Sequence, residues 1–323
     1  MRALVCKGRG FDDLAVVDTP APRAGPGQVV VSVQAATVDF ADTLIATGKY
    51  QIQVPTPFTP GNNIAGEVVE VGAGVSRFQI GDRVHGMAFV GGFAQRVALL
   101  ETQLRPTPDD LPADLACLTG APYRTAYDAL VSAARVQAGE SVVVLGASGA
   151  VGSAAVMIAK ALGARVIACA STTDKLDFTS EIGADEVILT ATPDFKDRLK
   201  TLCPGGVDVV LDMVGGELSE PALRAVGYGG RFVVVGFASG APARIPLNLP
   251  LLKGSKVLGY EIASFEREES LAAHANRDAL ERLIASGRVR PPITARFDLE
   301  QGVEALRHVA GRAKHGIAVM EMG

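Results

Sequence analysis

Ser141-Val-Val-Val-Leu-Gly-Ala-Ser-Gly-Ala-Val-Gly-Ser-Ala-Ala-Val-Met-Ile-Ala-Lys-Ala-Leu-Gly-Ala-Arg-Val-Ile-Ala-Cys-Ala-Ser-Thr-Thr-Asp-Lys175 is the stretch that decides the fold. The apolar run Val142 to Leu145 stops at a turn of small residues, Gly146 to Gly152, and an alanine-rich segment with helical spacing continues to Leu162. Gly163 ends that helix, and Arg165 to Cys169 is a second β-branched strand, which completes a βαβ unit of the length a dinucleotide fold needs. Gly149 lets backbone approach a pyrophosphate and Gly152 lets the helix pack on the strand, while Ala147, preceded by Gly146, stands where the usual fingerprint has its first glycine. The helix N-terminus then offers N–H groups and partial positive charge to an anion. An uncharged stretch from Ser141 to Ala159 is also long enough to be weighed as a membrane span. Its three interrupting glycines and its β-branched first half fit a buried parallel strand joined to a packed helix instead.

The second strand bears on which dinucleotide binds. An NAD site places Asp or Glu about twenty residues beyond the turn to accept the ribose 2′-hydroxyl. Here the strand runs out through Ser171-Thr172-Thr173 with no acid before Asp174, and Ser171 and Lys175 suit a 2′-phosphate, so NADPH is the expected cofactor.

Working outward, residues 1–121 are mostly short β-type runs with glycine turns, and from Ser141 the pattern alternates strand and helix. The expected division is 1–121 with 262–323 as a mostly β domain and 122–261 as a doubly wound parallel-sheet domain, an α/β chain overall. A short helix is expected between Asp39 and Tyr50, a helix over Pro122 to Ala134, and loops at Val54 to Pro60 and Pro242 to Pro250. With 323 residues the chain is long enough for two cores. Its net charge of −4 and 5% aromatic content give no pull towards nucleic acid or anionic membrane. Four scattered cysteines without a CxxC, and no apolar leader at the N-terminus, point to a reducing compartment, with cytoplasm as the default.

Several motifs in order resemble one family across nearly the whole chain. These are Phe40-Ala41-Asp42 with Gly48-Lys49-Tyr50-Gln51, Pro60-Gly61 with Ala65-Gly66-Glu67-Val68-Val69, Gly81-Asp82-Arg83-Val84, Tyr123 to Leu130, and Gly236 to Gly240. They are similar to the zinc-independent quinone oxidoreductases of the medium-chain dehydrogenase/reductase superfamily. The resemblance implies a GroES-like domain, a Rossmann domain that binds NADPH, and a homodimer made through the last Rossmann strand. It implies that Thr125, Gly146, Ala147, Ser148, Gly149, Ala150, Val151, Gly152, Ser171, Lys175, Phe237, Ala238, Ser239 and Tyr260 line the cofactor, and that Tyr50 faces the substrate.

The chain departs from the family pattern at Asp39, where asparagine is usual, and at Asn63, Arg124, Thr190 and Ile317. An acid at position 39 either repels the cofactor or accepts hydrogen bonds from its ribose. The superfamily's zinc ligands have no counterpart in Thr37-Val38-Asp39 or Gly61-Asn62-Asn63, so no metal is expected, and the four histidines share no ligand spacing. Without a Lewis acid the acceptor must take hydride readily, as a quinone does, or an α,β-unsaturated ketone, aldehyde or thioester. Tyr50, Tyr260 and Asp39 are the candidate substrate-pocket residues, with both tyrosines as possible donors to the developing oxyanion or as packing only. Arg124 is a further candidate donor if it points into the cleft, with a surface salt bridge as the favoured reading. A reading from another class keeps the NADPH fold without turnover, as a sensor or RNA-associated protein.

Overall fold

The computed structural model describes residues 1–322. The chain divides into two compact units, residues 1–121 with 291–323 and residues 122–290. Residues 262–290 therefore belong with the parallel-sheet unit, not with the β unit as expected. Side chains hold them there: Asn276 Nδ2 donates to Asp128 Oδ1 (2.7 Å) and to Ser132 Oγ (2.8 Å).

The first unit is GroES-like and built from β1 (Arg2–Cys6), β2 (Leu14–Asp18), β3 (Gln28–Val38), β4 (Asn63–Val71), β5 (Arg83–Met87), β6 (Arg96–Leu100) and β7 (Leu104–Pro106), with Ile293–Asp298 and Ile317–Glu321 added from the C-terminal segment. The long β3 pairs antiparallel with β4, β6 and Ile317–Glu321. Its alternate residues Val29, Val31 and Val33 enter a core with Leu4, Ile64, Phe93, Leu306 and Met320. Gly66 permits the close approach of β3 and β4, since a Cβ there would lie 2.0 Å from Ser32 O. The helix Phe40–Ala46 starts at Asp39, whose N–H donates to the Asp42 carboxylate (2.8 Å).

The second unit carries β8 (Ser141–Leu145), β9 (Arg165–Ala170), β10 (Glu186–Leu189), β11 (Val207–Asp212), β12 (Val226–Val234) and β13 (Lys256–Gly259), all parallel, in the order β10-β9-β8-β11-β12-β13. This is the Rossmann order, in which the topological switch falls between β8 and β11. The uncharged run read as a buried strand is one, because Val142 to Leu145 are wholly buried. Among the described residues no helix is long and apolar enough to cross a membrane.

Two local expectations change. The helix expected over Pro122 to Ala134 is α-helical only over Ala121–Asp128; it then widens through Ala129–Ala133, where Ala134 N–H donates to Ala129 O (2.9 Å). The proline-bounded stretch before β13 ends in a helix, Asn248–Lys253, because Pro250 lies in its first turn, where a missing N–H costs nothing.

Candidate functional site

The turn after β8 is shaped by three backbone requirements. Gly146 has φ +74, and its N–H and that of Ala147 both donate to Cys169 O (3.0 and 3.1 Å), which ties the turn to the end of β9. A Cβ on Gly152 would lie 2.1 Å from Gly146 O and 2.8 Å from Ala147 Cα, so only glycine lets the helix Ala150–Ala161 start this close to the turn. A Cβ on Gly149, in contrast, would meet only Gly146 O, at 3.6 Å. Gly149 is the N-cap of that helix and no side chain caps it, so the helix's first N–H groups have no side-chain capping partner. Such a terminus suits an anion, because the helix dipole favours negative charge there.

Beyond the turn, Ser171 is exposed directly after β9, and Lys175 lies in the first turn of the helix Thr173–Glu181. Partial burial lowers the Lys175 pKa. Thr190, whose hydroxyl donates to Ala170 O (3.2 Å), sits on the adjoining strand end. No acid stands at the end of β9, so a carboxylate for a ribose 2′-hydroxyl is missing while a hydroxyl and an ammonium are offered.

Asp212, at the end of β11, gave no signal in the sequence reading. Its buried carboxylate accepts from Val214 N–H and Gly215 N–H (2.8 Å each) and from Ser219 Oγ (2.5 Å). That fixes residues 213–216, which pair with the loop after β12: Ala238 N–H donates to Met213 O (3.0 Å), Ser239 N–H to Val214 O (2.9 Å) and Gly216 N–H to Ala241 O (2.9 Å). Val214 in turn sits 3.0 Å from where a Gly146 Cβ would be. The Gly146 to Gly152 turn and the Phe237 to Ser239 loop, far apart in sequence, are thus held along one edge of one sheet. An acid ending a strand before Gly215-Gly216 was the available clue.

Thr125 is half-buried on the helix Ala121–Asp128. Tyr260 requires a correction. It is buried, and its hydroxyl donates to Asp128 Oδ2 (2.8 Å). Burial and the neighbouring Asp128 raise its pKa, so it is engaged and a weaker acid than ordinary tyrosine, not a free donor for an oxyanion. Arg124 is corrected too: it is buried and ion-paired with Glu266, not on the surface.

In the first unit Asp39 is buried at the end of β3. Its Oδ2 accepts from Thr37 Oγ1 (2.8 Å) and Asn63 Nδ2 (2.7 Å), and Asn63 Oδ1 accepts from Ala121 N–H (3.0 Å). Burial pushes the Asp39 carboxyl up to about 6 against these stabilising bonds and the Lys314 charge. Burial and the charge of Asp39 push Asp42 well above the usual carboxylate range. The two departures in the segments Thr37 to Asp39 and Gly61 to Asn63 are therefore bonded to each other as an internal polar cluster. Among the described residues no group of three or more His, Cys, Asp or Glu side chains is placed to hold a metal ion. Tyr50 is half-buried and its ring lies 6.4 Å from that of Phe89.

Profiles for "Alcohol dehydrogenase GroES-like domain" and "Zinc-binding dehydrogenase" match residues 25–109 and 150–277. Over 99% of its length the chain is 35% identical to quinone oxidoreductase-like protein 2 homolog of Nematostella vectensis, covering 88% of that protein. The chain belongs to the quinone oxidoreductase family of the medium-chain dehydrogenases/reductases. It is also 33% identical to mouse quinone oxidoreductase, over 94% of this chain and 91% of that one. Among solved structures, the quinone oxidoreductase of Thermus thermophilus, determined also in complex with NADPH, superposes with a TM-score of 0.86 at 32% identity, with 100% of each chain covered.

Proposed function

We propose that the chain is an NADPH-dependent, zinc-independent reductase of quinones. The observation that carries this reading is the edge of the second sheet. There an open glycine turn at a helix N-terminus adjoins a strand end bearing Ser171 and Lys175 in place of an acid. The Thermus relative, whose structure was determined with NADPH, supports the same cofactor here. When bound, NADPH supplies hydride.

The chain's own residues do the rest. The N–H groups that follow Gly149 take the pyrophosphate, Ser171 and Lys175 take the 2′-phosphate, and the paired loops at 213–216 and 237–241 form a rigid wall. Tyr260 is engaged by Asp128; Tyr50, half-buried beside Phe89, is a candidate to line the acceptor, and solvent can supply the proton. Reduction of α,β-unsaturated ketones, aldehydes or enoyl thioesters uses the same machinery.

Calorimetric titration of NADPH and NADH, followed by NADPH oxidation with a small quinone and an enone, tests the reading. NADPH is expected to bind at least about tenfold more tightly, and Lys175→Ala to cost NADPH about 10- to 100-fold while NADH changes little, as for a lost hydrogen bond to a charged group. NADH preference in the unaltered protein would show that Ser171 and Lys175 do not read the phosphate. NADPH binding with no acceptor reduced would favour the non-catalytic sensor.

We further propose a homodimer through β13. Among the described residues this strand pairs only with β12, and Leu247, Leu251 and Leu252 in the segment leading into it, with Tyr228 of β12, are each more than 70% exposed. An unpaired edge with flanking leucines suits a second copy. Sedimentation should give a dimer, and Leu251→Asp with Leu252→Asp should give a monomer; a monomeric unaltered protein contradicts the assignment.

A further inference from the structure

Among the described residues only Phe89 and Arg135 combine a side chain with a left-handed backbone, and Phe89, at φ +64, is the bulky one. An aromatic residue in that region is a true outlier, costly unless its surroundings impose it. The surroundings do so here. On one side of Phe89, Ala88 N–H donates to Asn62 O (2.6 Å); on the other, Gly91 N–H donates to Thr59 O (2.7 Å), Gly92 N–H to Gly61 O (3.0 Å) and Phe93 N–H to Pro60 O (2.9 Å). The segment 88–93 is clamped along 59–62, and the strain at Phe89 is the consequence of aiming one ring. That ring lies against Tyr50 with centroids 6.4 Å apart and planes at 49°.

Direct aromatic pairs have centroids roughly 4.5–7 Å apart, and this one, at 6.4 Å, sits towards the wide end of that range. A flat ring held between two others needs them about 7 Å apart, twice the ~3.5 Å contact distance of stacked carbons. A small opening of the pair and a turn of the rings towards parallel would provide that. Both rings are half-buried, and Ile52, half-exposed, follows Tyr50 in the chain.

We infer that Phe89, paired with Tyr50, determines specificity by gripping flat conjugated rings, quinones of one or two fused rings, in preference to open-chain enones. This deepens the reductase reading and rests on it for the position of Tyr50. No proton or hydride is moved by Phe89. It acts on which acceptor is held.

The test measures binding apart from turnover. Naphthoquinone is titrated calorimetrically into the full chain loaded with NADP⁺, for the unaltered protein, Phe89→Leu, Phe89→Ala and Phe89→Gly, and KM for crotonaldehyde is measured with NADPH. Loss of the ring is expected to weaken naphthoquinone binding roughly 5- to 10-fold and to move the crotonaldehyde KM less than about twofold. Phe89→Gly is expected to melt about 2 °C above Phe89→Ala, since both lack the ring and only glycine is at ease at this φ. Unchanged naphthoquinone affinity in all three variants, or equal losses for both acceptors, overturns the inference, and so does an alanine variant as stable as the glycine one. If naphthoquinone binds and the variants weaken it but nothing is reduced, the clamp stands and the reductase reading falls. If crotonaldehyde is reduced and naphthoquinone does not bind, the reductase reading stands and the clamp falls.

Discussion

Gly152→Ala is expected to abolish measurable NADPH binding and to destabilise the second unit by about 2–3 kcal/mol, the range for an atom forced into a packed site. The added Cβ would meet Gly146 O at 2.1 Å, Gly146 C at 2.8 Å and Ala147 Cα at 2.8 Å. All three are backbone, so no side chain can swing aside. The helix Ala150–Ala161 would have to move off the turn, taking its N-terminus away from the anion. Gly149→Ala separates the two consequences, because its Cβ meets nothing closer than 3.6 Å and its φ of −76° suits any residue. That variant should fold with only a modest loss of stability, about 0.5–1 kcal/mol at the cap, yet place a methyl where a pyrophosphate would approach. Thermal scans and NADPH titrations of both variants check the pair. Full NADPH affinity in Gly149→Ala would show that the phosphates do not use this turn.

The elements that position this edge were legible because local chemistry specifies them. The β-branched run Val142 to Leu145, bounded by glycine, favours a buried strand, and Gly146 to Gly152 favours a tight turn before a helix, so the βαβ unit follows from its letters. The partners of single side chains were not legible. Tyr260 and Asp128 are 132 positions apart, and nothing in either neighbourhood announces that the hydroxyl is already taken. The same holds for Arg124, whose partner Glu266 lies in a helix pair expected to belong to the other unit. Asp212 was passed over because a single acid at a strand end has no periodicity to betray it; only its bonds to Val214, Gly215 and Ser219 give it a task. Phe89 escaped notice because backbone strain is a product of the hydrogen bonds on both sides of it, which exist only in the fold.

Asp39→Asn is expected to stabilise the protein at neutral and alkaline pH by about 3 kcal/mol and to have little effect near pH 4, at about 1.4 kcal/mol for each pKa unit. The carboxyl is fully buried, and its pKa is raised from 3.8 to about 6. Below about pH 4 both folded and unfolded chains hold the proton and the group costs nothing. As pH rises towards 6 the unfolded chain ionises freely while the folded chain resists, so stability is lost through that window and the loss is constant above it. Asparagine cannot ionise, caps the helix Phe40–Ala46 equally well, and its amide oxygen can accept from Thr37 and Asn63 as Asp39 Oδ2 does. It also removes the negative charge that adds to burial in raising Asp42, so the pKa of that carboxyl should fall while burial still holds it above its ordinary range. Denaturant unfolding of both proteins between about pH 4 and 8 reads the difference directly. A gap that does not change with pH would mean that Thr37, Asn63 and the Lys314 charge hold Asp39 at its ordinary pKa. The cost has a functional side. An ionised Asp39 places a buried negative charge where the family pattern has a neutral amide, so any ligand contact with this segment should strengthen as pH falls through about 6, and that dependence should vanish in the asparagine variant.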